Sequence, residues 1–328
     1  MKQAVLVGPR RFDVVQGPIP ELGTHDVLIK VSYCGVCMGE VGTWSRSLEG
    51  SYPLYIGHEI SGVITAKGAA VEQYGVGQRV MAITMGRGYA DFVRADQNEL
   101  VEVPATLPLR DALGEPLACA VNAAGRANIA LGDTVVIVGA GFMGLLMLQL
   151  VLLRGASRVF MVDLREEMGS VARSLGASAL LSPSDALEQI GLATKGVMAD
   201  VVIEATGKEA ALQLAGDLVR TRGTVVIYGY HQEGMRSVNI GQWNWKGIDV
   251  INGHERETAR YVEGMRRAMA LAAEGRVQLR PLVTHVFPGD EINQAFALAE
   301  QKPANFIKAV TQWAESVDGQ GASPAYGI

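Results

Sequence analysis

An uncharged run of 19 residues, from Val135 to Leu153, constrains the fold of this chain more than any other feature. It begins with β-branched residues, passes through a segment with three glycines (139–144) and ends in a leucine-rich stretch. A run of this length could span a membrane. The glycines, and Gln149 inside the run, favour a buried strand, a tight turn and a buried helix instead. We therefore expect an α/β core here and no membrane association.

The glycine segment has the sequence Gly139-Ala140-Gly141-Phe142-Met143-Gly144, with G-x-G-x-x-G spacing. In this pattern the first glycine allows a tight turn, the second lets the backbone approach a pyrophosphate, and the third lets helix and strand pack closely. The following helix offers free N–H groups to phosphate. Since a strand precedes the pattern and a helix follows it, we expect a dinucleotide at these residues. The candidate contacts are Gly139, Gly141, Phe142, Met143 and Gly144.

Further cofactor candidates follow predicted strands. Asp163 ends the next strand, 19 residues after the last glycine of the motif, and its carboxylate would accept hydrogen bonds from ribose hydroxyls and repel a 2′-phosphate. NAD is therefore expected over NADP, although Arg165 could accommodate a 2′-phosphate. Thr206, His231 and His254 each follow a strand, and the carboxyl ends of parallel strands face the ligand. The alternative for each histidine is an ordinary loop position.

Strands alternate with helix-length segments between residues 134 and 253, which predicts βαβ units and a parallel sheet. Helices are expected at Glu166–Leu175, Lys208–Thr221 and Glu255–Ala273. The five predicted strands are Thr134–Val138, Arg158–Asp163, Ala199–Glu204, Thr224–Gly229 and Ile248–Asn252.

The expected organisation is a β-rich part, an α/β part and a C-terminal piece that returns to the first part. The first 115 or so residues consist of β-branched runs bounded by Gly, Pro, Asn and Asp. The last residues are rich in Gly, Ser and Ala and are expected to be loose. The predicted boundaries are 1–118, 119–254 and 255–328, with the loose tail at 315–328.

Composition excludes several classes of protein. Three cysteines cannot form a disulfide framework or a four-cysteine zinc lobe, so a reducing, cytoplasmic chain is expected. The net charge is −5 and the isoelectric point is about 5.6. This balance argues against nucleic-acid or anionic-membrane partners, because both require a basic face.

A second group of residues suggests a metal. Cys37 precedes His58 by 21 residues, and Glu115 stands 24 residues before the glycine motif. A thiolate, an imidazole and a carboxylate suit a catalytic zinc ion with one open position. The alternative is that these residues only fill the core. Cys34 is a competing thiolate, and Cys119 is either a third candidate or a core residue.

These motifs resemble those of the zinc-dependent medium-chain dehydrogenase/reductase family, which includes alcohol, sorbitol and threonine dehydrogenases. The resemblance spans residues 1–313 and rests on Cys37, Gly57-His58-Glu59 and Gly114-Glu115-Pro116. It implies a GroES-like catalytic domain beside a Rossmann domain with a doubly wound parallel sheet. It also implies NAD, one catalytic zinc ion held by Cys37, His58 and either Glu59 or Glu115, and a homodimer or homotetramer. The family's usual lobe of four closely spaced cysteines is absent from this sequence, so no structural zinc is expected.

Four of the residues that follow Cys37 can be compared with the usual residues of this family. Gly39 and Gly42 stand where the family usually has a hydroxyl residue and a histidine that relay the alcohol proton. That proton would then leave through water, through Glu59 or Glu40, or through a hydroxyl of the substrate. Glu40 could instead orient a zinc ligand. Trp44 is either a substrate-pocket residue or a core aromatic.

The sequence thus predicts an oxidoreductase that moves a hydride from a primary or secondary alcohol to NAD, with zinc as Lewis acid. The glutamate ligand favours polyols, sugars or hydroxy compounds as substrates. One alternative is a zinc-free quinone or enoyl reductase that uses NADPH. Another is a nucleotide-binding homologue without catalysis, which the missing relay keeps open.

Overall fold

The computed structural model describes residues 1–46, 48, 50–84, 86–232 and 234–314. Its first third is mainly strands, as the β-branched runs predict. A 3-10 turn at Leu109–Asp111 then leads into the helix α2. The elements are β1 (Lys2–Gly8), β2 (Arg11–Gln16), β3 (Asp26–Gly35), α1 (Met38–Ser45), β4 (Glu59–Lys67), β5 (Arg79–Ile83), β6 (Phe92–Asp96), β7 (Leu100–Glu102) and α2 (Gly114–Arg126).

The middle of the chain forms a six-stranded parallel sheet with helices between its strands. Its elements are β8 (Thr134–Val138), α3 (Phe142–Leu153), β9 (Arg158–Val162), α4 (Met168–Ser174), β10 (Ala179–Leu181), α5 (Ala186–Ala193), β11 (Ala199–Glu204), α6 (Glu209–Leu218), β12 (Val219–Ile227), α7 (Ile240–Lys246) and β13 (Asp249–Asn252). The spatial order is β10-β9-β8-β11-β12-β13, so the direction of winding reverses beside β8. Ligands bind at such a switch point, outside the carboxyl ends of the strands.

The last described segment returns to the strands of the first third. Its elements are α8 (Thr258–Ala273), β14 (His285–Pro288), α9 (Ile292–Gln301) and β15 (Ala309–Gln312), with 3-10 turns at Arg280–Leu282 and Gly289–Glu291. The strand β15 pairs antiparallel with β3 and parallel with β14. The resulting sheet has the order β14-β15-β3-β4-β5-β7, with β6 also paired to β3. Pairing of β15 with β3 places C-terminal side chains next to residues from the first sixty.

The predicted α/β class with a β-rich partner is confirmed, but some predicted bounds differ and a short strand was not predicted. The predicted helix Lys208–Thr221 is shorter, because α6 ends at Leu218 and β12 begins at Val219. The three-residue strand β10 was missed, since so short and half-buried a segment has no clear periodicity. The expected loose tail, 315–328, lies outside the described residues.

The uncharged run divides as expected into a strand and a helix. All five residues of β8 are buried, and α3 is apolar on every face. The helix α2 packs against both α3 and α8 and carries the core from the parallel sheet toward the first sheet. Within the described residues, no helix is both long and apolar enough to cross a membrane.

Candidate metal centre and nucleotide site

Three predicted metal ligands meet at the N-terminus of α1. Cys37 is the residue before this helix, Glu59 begins β4, and His58 immediately precedes that strand. One ligand atom from each of the three lies within 4.8 Å of the others, and they form the one such group among the described residues. A sulfur, an imidazole nitrogen and a carboxylate oxygen are the donors of a three-ligand zinc site with an open position. The donor set therefore fits zinc.

The buried Glu40 carboxylate orients His58. Its Oε1 accepts hydrogen bonds from His58 Nδ1 at 2.8 Å and from the Gly57 N–H at 2.7 Å, and Oε2 lies 2.6 Å from the Tyr89 hydroxyl. Nδ1 therefore carries the proton and Nε2 is left as the metal-binding atom. Burial alone would raise the pKa of Glu40, but His58 and Tyr89 outweigh it and the pKa is lowered. Burial alone would lower the pKa of His58, but Glu40 and Cys37 raise it well above its usual value.

A buried cation lies against the metal group. Lys308 Nζ is 2.6 Å from Glu59 Oε2 and 2.9 Å from Oε1, and both side chains are almost fully buried. Burial opposes the charge of Lys308, but Glu59 outweighs it and raises the lysine pKa. The two residues are 249 positions apart in the chain, and the pairing of β15 with β3 brings them together. The Glu59 carboxylate thus has a buried cation as its partner.

Other residues considered as metal ligands or pocket residues lie elsewhere. Glu115 is in the first turn of α2, outside the three-residue group, and its Oε1 accepts a hydrogen bond from Cys119 Sγ at 3.0 Å. Cys34 is fully buried in β3. Trp44 is 3% exposed and packs with its ring centroid 5.7 Å from that of Phe296. The structure therefore places Trp44 in the core, so its interpretation as a pocket residue is not supported.

The glycine motif lies at the end of β8, and two of its positions do not readily accommodate a side chain. Gly139 has a φ of 111°, which favours glycine, and a Cβ at Gly144 would collide with the carbonyl oxygen of Gly139. Gly141 has nothing within 4 Å of its Cβ position. The turn therefore leaves open space above the start of α3, where Phe142 and Met143 form the first turn. This is the surface to which a pyrophosphate binds in such folds.

Asp163 lies beside the glycine turn. Its Oδ2 accepts a hydrogen bond from the Ala140 N–H at 2.6 Å, and its Oδ1 accepts one from the Arg165 N–H at 3.0 Å. Arg165 Nε also lies 3.1 Å from Oδ1. Burial alone would raise the pKa of Asp163, but these donors lower it. Asp163 is therefore a fixed anion at the position where the adenosine ribose is expected.

Buried Glu204 organises the loops after β11 and β12. Its Oε1 accepts hydrogen bonds from the N–H and the hydroxyl of Thr206, both at 2.6 Å, and Oε2 lies 2.9 Å from His231 Nε2. Arg236 Nε donates to His231 Nδ1 at 3.2 Å, so both ring nitrogens of His231 are engaged. Thr206 lies over the glycine turn, with its methyl 2.8 Å from the Cβ position of Gly139.

His254, the other histidine considered for the cofactor site, has its Nε2 3.4 Å from the carbonyl oxygen of Gly229.

The metal group and the glycine turn meet at Lys308. Its Nζ pairs with Glu59 and also lies 4.9 Å from the ring centroid of Phe142. One side chain, from the residue that precedes β15, thus contacts a proposed metal ligand and the first residue of α3. A nucleotide on the turn and a metal at Glu59 would be neighbours, which is the arrangement that hydride transfer to a nicotinamide requires.

Comparison with known proteins agrees with this geometry. Residues 23–115 match the model of the alcohol dehydrogenase GroES-like domain, and residues 143–271 match that of the zinc-binding dehydrogenase domain. A protein of Aspergillus terreus named Probable D-xylulose reductase A is 30% identical, over 95% of this chain and 98% of its own length. The chain belongs to the zinc-dependent medium-chain dehydrogenase family. Sorbitol dehydrogenase of Bos taurus, another member, is 28% identical over 90% of this chain and 92% of its own length.

Solved dehydrogenase structures share the whole fold. A protein of Sinorhizobium meliloti 1021 described as a zinc-binding dehydrogenase, with NADP bound, is 26% identical. It has a TM-score of 0.84 and covers 95% of this chain and 98% of its own. The 2R,3R-butanediol dehydrogenase of Bacillus subtilis has the same TM-score at 24% identity, over 95% of this chain and 99% of its own, and shows the fold.

Four residues that lie beside the candidate sites, or next to a residue that does, were not predicted from the sequence. Lys308 could have been noticed as a lone charge in the apolar run Phe306–Val310. Tyr89 lies in the stretch Gly88–Phe92, which is similar to the family, but neither its role nor that of Glu204 could be predicted because their partners are distant in the chain. Gln232 lies in a polar loop and is indistinguishable there from an exposed glutamine.

Proposed function

We propose that this chain is a zinc-dependent dehydrogenase that transfers a hydride between a primary or secondary alcohol and NAD. The substrate class we infer is polyols, sugars or related hydroxy compounds, in keeping with the names of its relatives. The observation that carries the proposal is the contact of Lys308 with both Glu59 and Phe142, because it joins a zinc-type donor set to a dinucleotide turn. Neither a zinc-free reductase nor a non-catalytic homologue requires that arrangement.

Cys37, His58 and Glu59 would hold the zinc ion. When bound, zinc supplies Lewis acidity at the substrate oxygen and the nicotinamide supplies the hydride acceptor. Glu40 keeps His58 in the tautomer that presents Nε2, and Lys308 pairs with the Glu59 carboxylate. Both oxygens of Glu40 are already engaged, so we assign it a positioning role. Both oxygens of Glu59 lie within hydrogen-bond distance of Lys308, so the alcohol proton leaves through water or a hydroxyl of the substrate.

NAD is the proposed cofactor, because Asp163 is an anion where a 2′-phosphate would lie. Arg165 does not reverse this expectation, since its guanidinium is paired with Asp163 and donates to the carbonyl of Phe306 at 2.9 Å. A cytoplasmic location is part of the proposal, because Cys37 must remain a free thiol to bind zinc.

A homodimer or homotetramer is the proposed assembly, joined through the parallel sheet. The strand β13 is at the edge of that sheet, and Val250 on it is 44% exposed. On neighbouring α7, Trp245 is 91% and Ile240 62% exposed. Exposed apolar groups beside an open strand edge favour association with a second copy.

The proposal is tested by elemental analysis and a substrate panel. We expect one zinc ion per chain and reduction of NAD by a polyol, sugar or simple alcohol. Cys37→Ser and Glu59→Gln should lose both zinc and turnover, whereas the matched variant Glu115→Gln should keep its zinc. A Cys37→Ser protein with one zinc and full turnover would contradict the metal assignment. If Glu59→Gln kept its zinc and Glu115→Gln lost it, the third zinc ligand would be Glu115 and not Glu59.

A further inference from the structure

The helix α1 lacks side chains at two positions on one face. Gly39 and Gly42 are three residues apart, so they are neighbours on the helix surface. The space beside both is occupied by Gln232, which comes from the loop after β12. A Cβ at Gly39 would lie 2.8 Å from Gln232 Nε2, and a Cβ at Gly42 would lie 3.6 Å from its Oε1. A carboxamide from the nucleotide-binding part thus occupies the region that the two glycines leave open.

The two ends of this carboxamide have different surroundings. Arg46 Nη2 donates a hydrogen bond to Gln232 Oε1 at 3.3 Å, while Arg46 Nε donates to the carbonyl of Gly42 at 3.0 Å. This fixes the oxygen end toward Arg46 and turns the amide nitrogen toward Gly39. The Cβ position of Gly39 is also 3.5 Å from Cys37 Sγ, so one methyl-sized gap separates the amide from a proposed zinc ligand. No hydrogen bond from Nε2 is found within the described part of the chain.

Hydrogen bonds hold the loop that carries Gln232 in place. The preceding residue, His231, is held by Glu204, which is fully buried at the end of β11. Arg236 holds the other nitrogen of the same ring, and the Gln232 N–H donates to the carbonyl of Tyr230 at 3.1 Å. Hydrogen-bonded support of this kind restricts the positions that the carboxamide can take.

We propose that Gln232 Nε2 donates a hydrogen bond to a substrate oxygen adjacent to the carbinol that reacts. The inference rests on the proposed dehydrogenase function and narrows its substrate class to alcohols with a second oxygen on the neighbouring carbon, such as vicinal diols. An amide N–H binds an oxygen but does not exchange protons as a hydroxyl or imidazole does. Gln232 therefore selects the substrate and does not replace the missing relay. Its donor comes from the nucleotide-binding part, while the metal ligands come from the other part.

The first experiment compares 2,3-butanediol with 2-butanol in the zinc-loaded enzyme. Gln232→Ala should lower kcat/KM for the diol about tenfold, the value of one hydrogen bond, and leave that for 2-butanol within about twofold. Gln242→Ala is the matched control, because Gln242 on α7 bonds Asp217 on α6, outside the metal group, and this variant should change neither value. Equal losses on both alcohols, or no loss on the diol, would overturn the inference.

Binding gives a readout that does not need turnover. Calorimetry should show weaker binding of the diol to zinc-loaded Gln232→Ala than to the wild type, with unchanged zinc content. If the wild type oxidises neither alcohol with NAD or NADP, the proposed function has failed for these substrates, and calorimetry alone decides the role of Gln232. Equal diol affinity in both proteins, or no diol binding to the wild type, overturns it.

A second variant tests whether Gln232 acts through the space at Gly39. The methyl group of Gly39→Ala would lie 2.8 Å from Nε2 and crowd it without adding a hydroxyl, so this variant should lose the preference for the diol while keeping its zinc. In the double variant with Gln232→Ala the two losses should not add, because both remove the same contact. Additive losses would show that the two positions act independently, against the inference.

Discussion

Lys308 shows how one residue changes the electrostatics of the proposed metal centre. Its ammonium group and the Glu59 carboxylate are 8% and 2% exposed, so neither charge is screened by water. A buried pair gives little net stability, but a single unpaired partner is costly. Lys308 therefore has its largest effect on the free energy of unfolding when no other cation is next to Glu59.

We expect Lys308→Met to lower the free energy of unfolding of the zinc-free protein by about 3–5 kcal/mol, because it leaves a buried carboxylate unpaired. Zinc should reduce this loss, since the ion would supply the missing positive charge. Urea denaturation with and without zinc measures both effects. Lys2→Met is the control, because Lys2 and Asp290 form an exposed pair and should matter much less. Equal losses in the two zinc-free variants would contradict the prediction.

The pKa of Asp163 predicts a pH dependence of stability. Because its folded-state pKa is below the usual value of about 3.9, the ionised form stabilises the fold above that pH. This contribution is lost as the pH falls through the lower, folded-state pKa. Asp163→Asn should therefore be less stable than the wild type at neutral pH, and the difference should shrink below about pH 4. Denaturation curves across this range check the sign; a difference that grows on acidification would refute it.

The same variant should change cofactor preference. Without the Asp163 charge, a 2′-phosphate meets Arg165 and no anion, so the ratio of kcat/KM for NAD over NADP should fall about 10–100-fold. Steady-state kinetics with both cofactors measures this ratio. An unchanged ratio would mean that Asp163 does not contact the ribose.

At the scale of elements, two glycines at the junction of β8 and α3 differ in what surrounds them. Gly141 has extended backbone angles, φ −79° and ψ −174°, and open space at its Cβ. Gly144 has a backbone carbonyl at that position. Two glycines of one motif therefore have different physical functions.

Gly141→Ala should keep the melting temperature of the wild type but lose most NADH affinity, because its methyl enters the proposed pyrophosphate space. Gly144→Ala should lose affinity and also about 1–3 kcal/mol of stability, because the helix must move away from the strand. Thermal melts and NADH fluorescence titrations distinguish the two. Full NADH affinity in Gly141→Ala would mean that the dinucleotide does not lie on this turn.

At the scale of the whole molecule, the open edge of β13 and the apolar residues of α7 predict self-association. Trp245→Lys combined with Val250→Lys should convert the oligomer to monomers in light scattering after size exclusion. Leu131→Lys is the matched control, because Leu131 is also 91% exposed but precedes β8. A wild-type monomer, or dissociation by the control variant alone, would contradict this interface.

Local patterns predicted the elements whose hydrogen bonds and packing are local. The strands Thr134–Val138 and Ala199–Glu204 were predicted with the bounds that the structure has, because each is a buried run between turn residues. The strand β10 was missed because three residues are stabilised by their neighbour β9 and not by their own pattern. The sequence left Trp44 open between a pocket residue and a core aromatic for a similar reason, since only packing decides which way an apolar side chain faces.

The sequence alone determined the family, the fold class and the candidate donors, since motif spacing and β-branched runs are local properties. Only the tertiary structure grouped Glu59 with Cys37 and His58, and left Glu115 outside that group. Only the tertiary structure placed Lys308 against Glu59 and Gln232 against two glycines of α1. The physical reason is long-range closure in each case: β4 pairs with β3, β15 returns to β3, and the loop after β12 reaches α1. Contacts made by such long-range closure leave no periodic signal in the chain.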